Sequence, residues 1–175
     1  GFFFFFKALP GLIGFLSLSV FYSAPPLRLK ARLFLDSLSN GLYILPLVVT
    51  YTALTQKFPP IEIILAGWLW TMAMHTYSAI PDIEPDTEAG IETTATFLGR
   101  EKTYFYCTLV WTLSALVTGL WNFWTGLLIG VYPVLSALFY FSSLEDSEAY
   151  WYYPYINAFI GMVLTLAGLW VLIYG

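Results

Sequence analysis

Residues 61–80 read "IEIILAGWLWTMAMHTYSAI", and this stretch decides the fold class. About 20 predominantly apolar residues are what an α-helix needs to cross the hydrocarbon core of a membrane. A membrane-spanning β-strand needs only about half that length and alternates polar with apolar residues, which this stretch does not. The sequence therefore predicts a transmembrane helix here.

Five more apolar runs of similar length flank this one. The chain has 175 residues, of which 59% are hydrophobic and only 10% are charged, whereas soluble domains carry about 25% charged residues. Trp and Tyr cluster at the ends of the runs, as in the aromatic belts at membrane interfaces. We therefore predict an all-α fold, a polytopic transmembrane helical bundle, with spans at 2–22, 38–55, 61–80, 103–121, 124–141 and 152–174.

The distribution of charge predicts the orientation. Six spans alternate direction, so the loops fall into two sets, and five of the seven basic residues belong to one set: Arg28, Lys30, Arg32, Arg100 and Lys102. The positive-inside rule places this set in the cytoplasm. The net charge of −4 offers no basic surface for nucleic acid, and the single cysteine, Cys107, excludes an internal disulfide. We expect an integral protein of the cell membrane.

An acidic loop, "PDIEPDTEAG" at 81–90, follows the third run on the cytoplasmic side. Asp82 and Asp86 are four residues apart and share a face if the helix continues through them. Mg²⁺ suits such a pair, because it takes one or two carboxylates and completes its shell with water and phosphate oxygens. A calcium loop does not fit, since Thr87 and Thr93 stand where Gly and Glu are required. Asp82 and Asp86 are candidate metal ligands, and an ordinary solvated loop is the alternative.

A basic loop, "YSAPPLRLKAR" at 22–32, lies on the same side of the membrane. Its cations, Arg28, Lys30 and Arg32, are ordinary topology determinants in one interpretation. In the other they bind a diphosphate opposite a metal–carboxylate site, since Arg presents a fork of donors to phosphate oxygens and Lys a point charge. Tyr22 adds a hydroxyl donor at the membrane surface.

Two polar residues within the spans are candidates for lining a cavity. His75 precedes Asp82 by seven residues and faces the same way on a helix; it lines a cavity or assists proton transfer in one interpretation and is a hydrogen-bonded histidine inside the bundle in the other. Asn40 lies near the start of the second span and is predicted to face a cavity. Asp36 and Ser37, just before it, are expected to cap that helix.

The segments "YSAPPLRLK" and, further along, "DIEPDTEAGIETTATFLG" together resemble the UbiA superfamily of intramembrane prenyltransferases. The resemblance implies that Tyr22 and Lys30 match a catalytic tyrosine–lysine motif and that Asp82 and Asp86 match a second aspartate-rich motif, DxxxD. Members of the family have nine transmembrane helices, and the six runs look like the last six. The first aspartate-rich motif, N-D-x-x-D-x-x-x-D, lies earlier in the family. Residues 1–175 would thus be the C-terminal part of a single UbiA-type domain, and we expect this chain alone to be inactive.

The resemblance also implies a reaction. An Mg²⁺-dependent enzyme would move a prenyl group from an allylic diphosphate to a lipophilic acceptor. The stretch from His75 to Gly99 looks most like the lycopene elongases of the family, which use dimethylallyl diphosphate and lycopene in carotenoid biosynthesis. Another branch, acting on a quinone precursor, a tetrapyrrole or a glycerophosphate lipid, is one alternative. A transporter or other non-enzymatic membrane protein is another, but it predicts charges in the middle of the spans, where the six runs have none.

Overall fold

The computed structural model describes residues 2–174, with side chains except at 2–8, 31 and 172, and every regular element in that range is helical. The α-helices, in chain order, are α1 Phe2–Ser23, α2 Leu35–Asn40, α3 Leu45–Thr55, α4 Ile61–Ser78, α5 Ile83–Glu88, α6 Thr94–Trp121, α7 Phe123–Ile129, α8 Val131–Phe141 and α9 Asp146–Tyr174. Short 3-10 turns occupy Leu29–Ala31 and Gly41–Ile44. The six predicted runs correspond to α1, α2–α3, α4, α6, α7–α8 and α9, which confirms the predicted fold class.

Four segments of the described chain are long and apolar enough to cross a membrane: Leu35–Thr55, Thr94–Trp121, Phe123–Phe141 and Asp146–Val171. The protein is an integral membrane protein of helical-bundle type. The helix α4 is not among the four, because polar residues in its second half, such as His75 and Thr76, lower its mean hydropathy. The helix α4 packs along α6 in the middle of the bundle.

Two helices begin earlier than their apolar runs. The helix α6 starts at Thr94 and α9 at Asp146, whereas the runs begin at 103 and 152. In both cases polar turns extend the helix beyond its apolar part, so hydrophobicity alone places the start too late. Gly99 interrupts α6 with a φ of 71°, a conformation that a residue with a Cβ adopts only at a cost.

The buried core lies between α4, α6, α8 and α9 and is largely aromatic. Tyr77, Trp111, Tyr132 and Tyr153 are fully or almost fully buried, and the Trp111 and Tyr153 rings stack with their centroids 5.3 Å apart. Aromatic pairs of this kind stabilise a core beyond the area that they bury. This cluster fixes the helices whose ends carry the candidate site residues.

The loops that were predicted to share one side of the membrane do lie at one end of the bundle. The ring of Phe34, just after the basic loop, packs edge-on against Phe97 near the start of α6, with 5.7 Å between centroids. An ion pair joins Arg100, also near the start of α6, to Asp146 at the start of α9. The acidic loop leads directly into α6, so all three segments meet there.

At the other end of the bundle, α6 and α7 approach each other through glycines. A Cβ added at Gly126 would lie 2.5 Å from the Cα of Gly119 and 2.9 Å from the carbonyl oxygen of Ala115. Asn122 makes the turn between the helices, and its side-chain oxygen accepts a hydrogen bond from the Thr125 N–H at 3.0 Å. The backbones are therefore as close as two helices can come.

Candidate active site

The two aspartates of the acidic loop lie on one helical turn. The Asp86 N–H donates to the carbonyl oxygen of Asp82 at 2.9 Å, so their side chains leave the same face, as the four-residue spacing predicts. Asp82 is exposed and Asp86 is partly buried. Partial burial, and then the negative charge of Asp82, raise the pKa of the Asp86 carboxyl above its usual value.

Neither carboxylate has a partner among the described side chains, since no hydrogen bond or ion pair within residues 9–174 involves Asp82 or Asp86 side-chain oxygens. The same part of the chain has no cluster of three or more His, Cys, Asp or Glu that could enclose a metal by itself. Two unpaired, neighbouring carboxylates fit Mg²⁺, which needs few protein ligands when a phosphate supplies others.

The basic loop presents its cations to solvent. Arg28 starts a 3-10 turn with a φ of 42°, and Arg28, Lys30 and Arg32 are all exposed. The Arg32 Nη2 donates to the carbonyl oxygen of Pro26 at 3.0 Å. Among the described residues, the ion pair joins Arg100 to Asp146 and does not involve this loop. The cations of this loop are thus not neutralised by the acidic loop, and both sets of charge are free to bind a ligand.

An open cavity of about 460 Å³ lies between Leu33, just after the basic loop, and the second half of the acidic loop. Its lining comes from the residue after the basic loop, from the acidic loop and from the start of α6: Leu33, Thr87, Gly90, Ile91, Glu92, Thr96 and Phe97. Sites for small ligands usually enclose about 300–1,000 Å³. The space between the loops is large enough for a diphosphate with a short prenyl chain.

The remaining predicted residues lie together on the neighbouring side of α2. The Asn40 Nδ2 donates to the carbonyl oxygen of Asp36 at 2.6 Å and contacts the Tyr22 hydroxyl at 3.4 Å. Asn40 and His75 line one cavity of about 370 Å³, and Tyr22 lines a smaller one of about 100 Å³. Tyr43 borders both. The structure thus places Tyr22, Asn40 and His75 around the side chain of Tyr43.

The structure corrects the expectation that Asp36 caps its own helix. The residue before α2, Phe34, makes no side-chain cap, and Asp36 lies inside the helix. The Asp36 carboxylate is 1% exposed and reaches 58 residues along the chain to Thr94, accepting from its N–H at 2.9 Å and from its hydroxyl at 2.6 Å. Asp36 therefore binds the start of α6. A carboxylate so close to an apolar run is the signal that could have singled it out.

Ser37 is likewise not a cap. Its hydroxyl lies 2.8 Å from that of Thr76 in α4 and 3.0 Å from that of Tyr106 in α6. Buried hydroxyls are stable only when they are paired. Ser37 therefore joins α2 to both central helices.

A second polar contact that the sequence did not predict ties α6 to α9. Arg100 donates from Nε and Nη2 to the two carboxylate oxygens of Asp146 at 2.7 and 2.8 Å. The Tyr104 hydroxyl also donates to Asp146, at 2.8 Å, and the guanidinium lies over the rings of Tyr104 and Tyr140. Such a two-pronged geometry is the strongest form of an ion pair between side chains.

Comparisons with known proteins bear on what this arrangement does. The profile of the UbiA prenyltransferase family matches residues 2–161. The chain is 53% identical over 164 residues to a lycopene elongase/hydratase of Haloarcula japonica, covering 94% of this chain and 56% of the relative. It is 48% identical to the protein of that name from Haloferax volcanii, covering 96% and 56%, and 31% identical to one from Corynebacterium glutamicum, covering 83% and 54%.

The chain therefore spans little more than half the length of the curated relatives that it matches. No solved structure is significantly similar to it.

Proposed function

The chain belongs to the UbiA prenyltransferase family, and from this membership we propose that the full-length protein transfers a prenyl group to lycopene in carotenoid biosynthesis. The proposed donor is dimethylallyl diphosphate. The similarity to proteins named lycopene elongase/hydratase supports the acceptor. The observation that carries the proposal is that an acidic pair and a basic loop, both unpaired among the described residues, lie at one end of the bundle. An open cavity lies there against the second half of the acidic loop.

The acidic pair and the basic loop have distinct roles in the proposal. Asp82 and Asp86 would hold Mg²⁺, which when bound offsets negative charge on the departing diphosphate. Arg28, Lys30 and Arg32 would bind the diphosphate oxygens and stabilise the charge that grows on them as the allylic C–O bond breaks. Because these residues project from loops at the end of apolar helices, the prenyl chain would extend into the membrane.

Asn40 and His75, two of the residues around Tyr43, would serve the acceptor side. An alkene of the acceptor attacks the allylic carbon, a C–C bond forms, and the diphosphate leaves with the electron pair of the C–O bond. The cation that results on the acceptor then loses a proton, either directly or after a water molecule has added to it. Tyr22 and Lys30 are the proposed catalytic residues at the diphosphate end, and Asn40 and His75, which line one cavity, are proposed to border the acceptor.

The orientation of the site belongs to the same proposal. The basic loop and the start of α6 carry most of the chain's cations and lie at one end of the bundle. The positive-inside rule assigns that end to the cytoplasm, where a water-soluble diphosphate is available. The active site would therefore face the cytoplasm, with the lipophilic acceptor entering from the membrane.

Expression of the full-length protein in a lycopene-producing bacterial host tests this function. The expected result is lycopene lengthened by one and by two five-carbon units, identified by chromatography and mass spectrometry. An Asp82→Asn/Asp86→Asn double variant present at the same membrane level is expected to leave lycopene unchanged. Unchanged lycopene with the wild-type protein, together with newly prenylated quinones or lipids, would assign the enzyme to another acceptor.

A further inference from the structure

The Asp36 carboxylate joins the two loops that carry the candidate site. Asp36 lies four residues after Arg32, the last cation of the basic loop, and Thr94 starts α6 directly after the acidic loop. The carboxylate is 1% exposed and Thr94 is fully buried. Both carboxylate oxygens accept a hydrogen bond from Thr94. The contact is therefore a complete pairing, out of reach of solvent.

Hydrogen bonds continue from this contact into both loops. On one side the Asp36 N–H donates to the carbonyl oxygen of Arg32 at 3.0 Å. On the other side the Thr96 hydroxyl donates to the carbonyl oxygen of Ile91 at 3.2 Å, and the Ile91 N–H donates to the carbonyl oxygen of Asp86 at 2.8 Å. With the first turn of α6 between them, these bonds connect the last basic residue to a candidate metal ligand.

The Asp36 carboxylate pairs the Thr94 N–H, which the local cap of α6 does not reach. Thr93 and Thr96 already form a capping box: the Thr93 N–H donates to the Thr96 hydroxyl at 2.8 Å, and the Thr96 N–H donates to the Thr93 hydroxyl at 3.2 Å. A buried carboxylate costs free energy that its hydrogen bonds must offset. The sequence thus places a costly group beside a local cap. That group pairs the N–H of Thr94 and also links two loops.

We propose that Asp36 is a positioning residue, which acts through Thr94 to set the separation of the basic loop from the Asp82–Asp86 pair. This role rests on the proposed function, because it presumes that the two loops bind one diphosphate with its cation. Charge-assisted hydrogen bonds are short and directional, so a change of partner at Thr94 moves α6 and the acidic loop relative to the basic loop. The expected consequence is weaker binding of the diphosphate, with little effect on the acceptor.

The test uses the full-length protein in detergent or nanodiscs and compares Thr94→Val with Thr94→Ser. Valine keeps the shape of threonine and removes the hydroxyl donor, whereas serine retains the donor. We expect Thr94→Val to weaken the affinity for pyrophosphate measured with Mg²⁺ by about 10- to 100-fold, the size of effect that outer-shell residues of metal sites show. We expect Thr94→Ser to remain within about threefold of the wild type. Asp36→Asn is expected to resemble Thr94→Val.

Thr76→Val is the matched control. It is the same substitution at another fully buried threonine, whose hydroxyl bonds to Ser37 and to the Met72 carbonyl oxygen and does not reach either loop. We expect it to lower Tm while pyrophosphate affinity, and the KM for dimethylallyl diphosphate, stay within about twofold of the wild type. In Thr94→Val the KM for the diphosphate should rise while the KM for lycopene does not.

The outcomes separate the inference from the function on which it rests. Wild-type protein that binds pyrophosphate with Mg²⁺ but does not extend lycopene would refute the acceptor and leave the positioning test in force. Loss of Tm in Thr94→Val without loss of pyrophosphate affinity would show that the contact is only structural. If Asp36→Asn does not fold, the comparison of Thr94→Val with Thr94→Ser is enough to test the positioning role. Both variants keep the hydrogen bond from the backbone N–H of residue 94 to Asp36, so both are expected to fold.

Discussion

The two ends of α6 are held by different kinds of contact. Its start is fixed by polar side chains, through Asp36 to Thr94 and through Arg100 to Asp146. Its end is fixed by the close approach of backbones at Gly119 and Gly126. Hydrogen bonds specify a distance and a direction, whereas glycine contacts bring helices together without orienting any side chain. The candidate site lies at the start of α6, where hydrogen bonds fix the distances and directions between side chains.

The aspartates near the start of α6 form two groups, those that accept hydrogen bonds from the protein and those that do not. Asp36 and Asp146 are engaged with protein donors, so they hold the framework. Asp82 and Asp86 have no partner among the described side chains. Exposure alone does not identify a functional acid, since Glu84 and Glu88 are exposed too. Spacing does not distinguish the pair either, because Glu84 and Glu88 are also four residues apart on α5. Partial burial sets Asp86 apart, since Glu84 and Glu88 are exposed.

The largest expected effect is on activity, from removing charge at the unpaired acids. Asp82→Asn and Asp86→Asn should each lower prenyl transfer by about 10²–10³-fold, the size of effect seen when one electrostatic group of an active site is lost. Tm should not fall, because neither side chain bonds to the described protein. Transfer assays over a series of Mg²⁺ concentrations measure the change, with Glu84→Gln on the same short helix as the control. Near-normal transfer in both variants would remove the pair from the metal site.

The next effect is on stability, at the opposite end of α6. Gly126→Ala places a Cβ against the backbone of Gly119 and Ala115, which cannot move aside as a flexible side chain would. Overpacking of this kind costs about 1–3 kcal/mol, so Tm in detergent should fall while the affinity for pyrophosphate with Mg²⁺ stays the same. Gly119→Ala is the control, because its Cβ would meet its nearest neighbour at 3.9 Å. Equal loss of Tm in both variants would contradict the close approach at Gly126.

The sequence predicted features that depend on neighbours along the chain. The length of the apolar runs was sufficient to predict the helices. The spacing of Asp82 and Asp86 was sufficient to predict that they share one helical turn. The partner of Asp36 was not predictable, because Thr94 is 58 residues away and the local rule favours a cap. The approach of Gly119 to Gly126 was also missed, although the predicted spans at 103–121 and 124–141 leave only a short connection between the two helices. Local sequence gives no distance between helices.

A smaller effect is expected at the second polar contact of α6. Asp146 accepts from the Tyr104 hydroxyl as well as from Arg100, so Asp146→Asn weakens two hydrogen-bonded contacts. Arg100→Gln removes the ion pair and the exposed contacts of the guanidinium with the Tyr104 and Tyr140 rings. Asp146→Asn should cost about 1–2 kcal/mol, as for a hydrogen-bonded charge that is partly shielded from solvent. Arg100→Gln should cost less than about 1 kcal/mol, because its side chain is 47% exposed. Thermal unfolding of the two variants compares them, and a larger loss for Arg100→Gln would reverse this order.

The smallest effect separates the local cap of α6 from the link to Asp36. Thr93→Ala removes the hydroxyl that accepts from the Thr96 N–H, which costs about 1 kcal/mol for a typical N-cap. The bonds from Thr94 to Asp36 and from Thr96 to Ile91 remain, so Tm should fall slightly while the affinity for pyrophosphate with Mg²⁺ does not change. Thr93→Ser should restore Tm. A loss of pyrophosphate affinity in Thr93→Ala as large as in Thr94→Val would mean that any weakening of the α6 start separates the loops. The role assigned to Asp36 would then belong to the whole first turn.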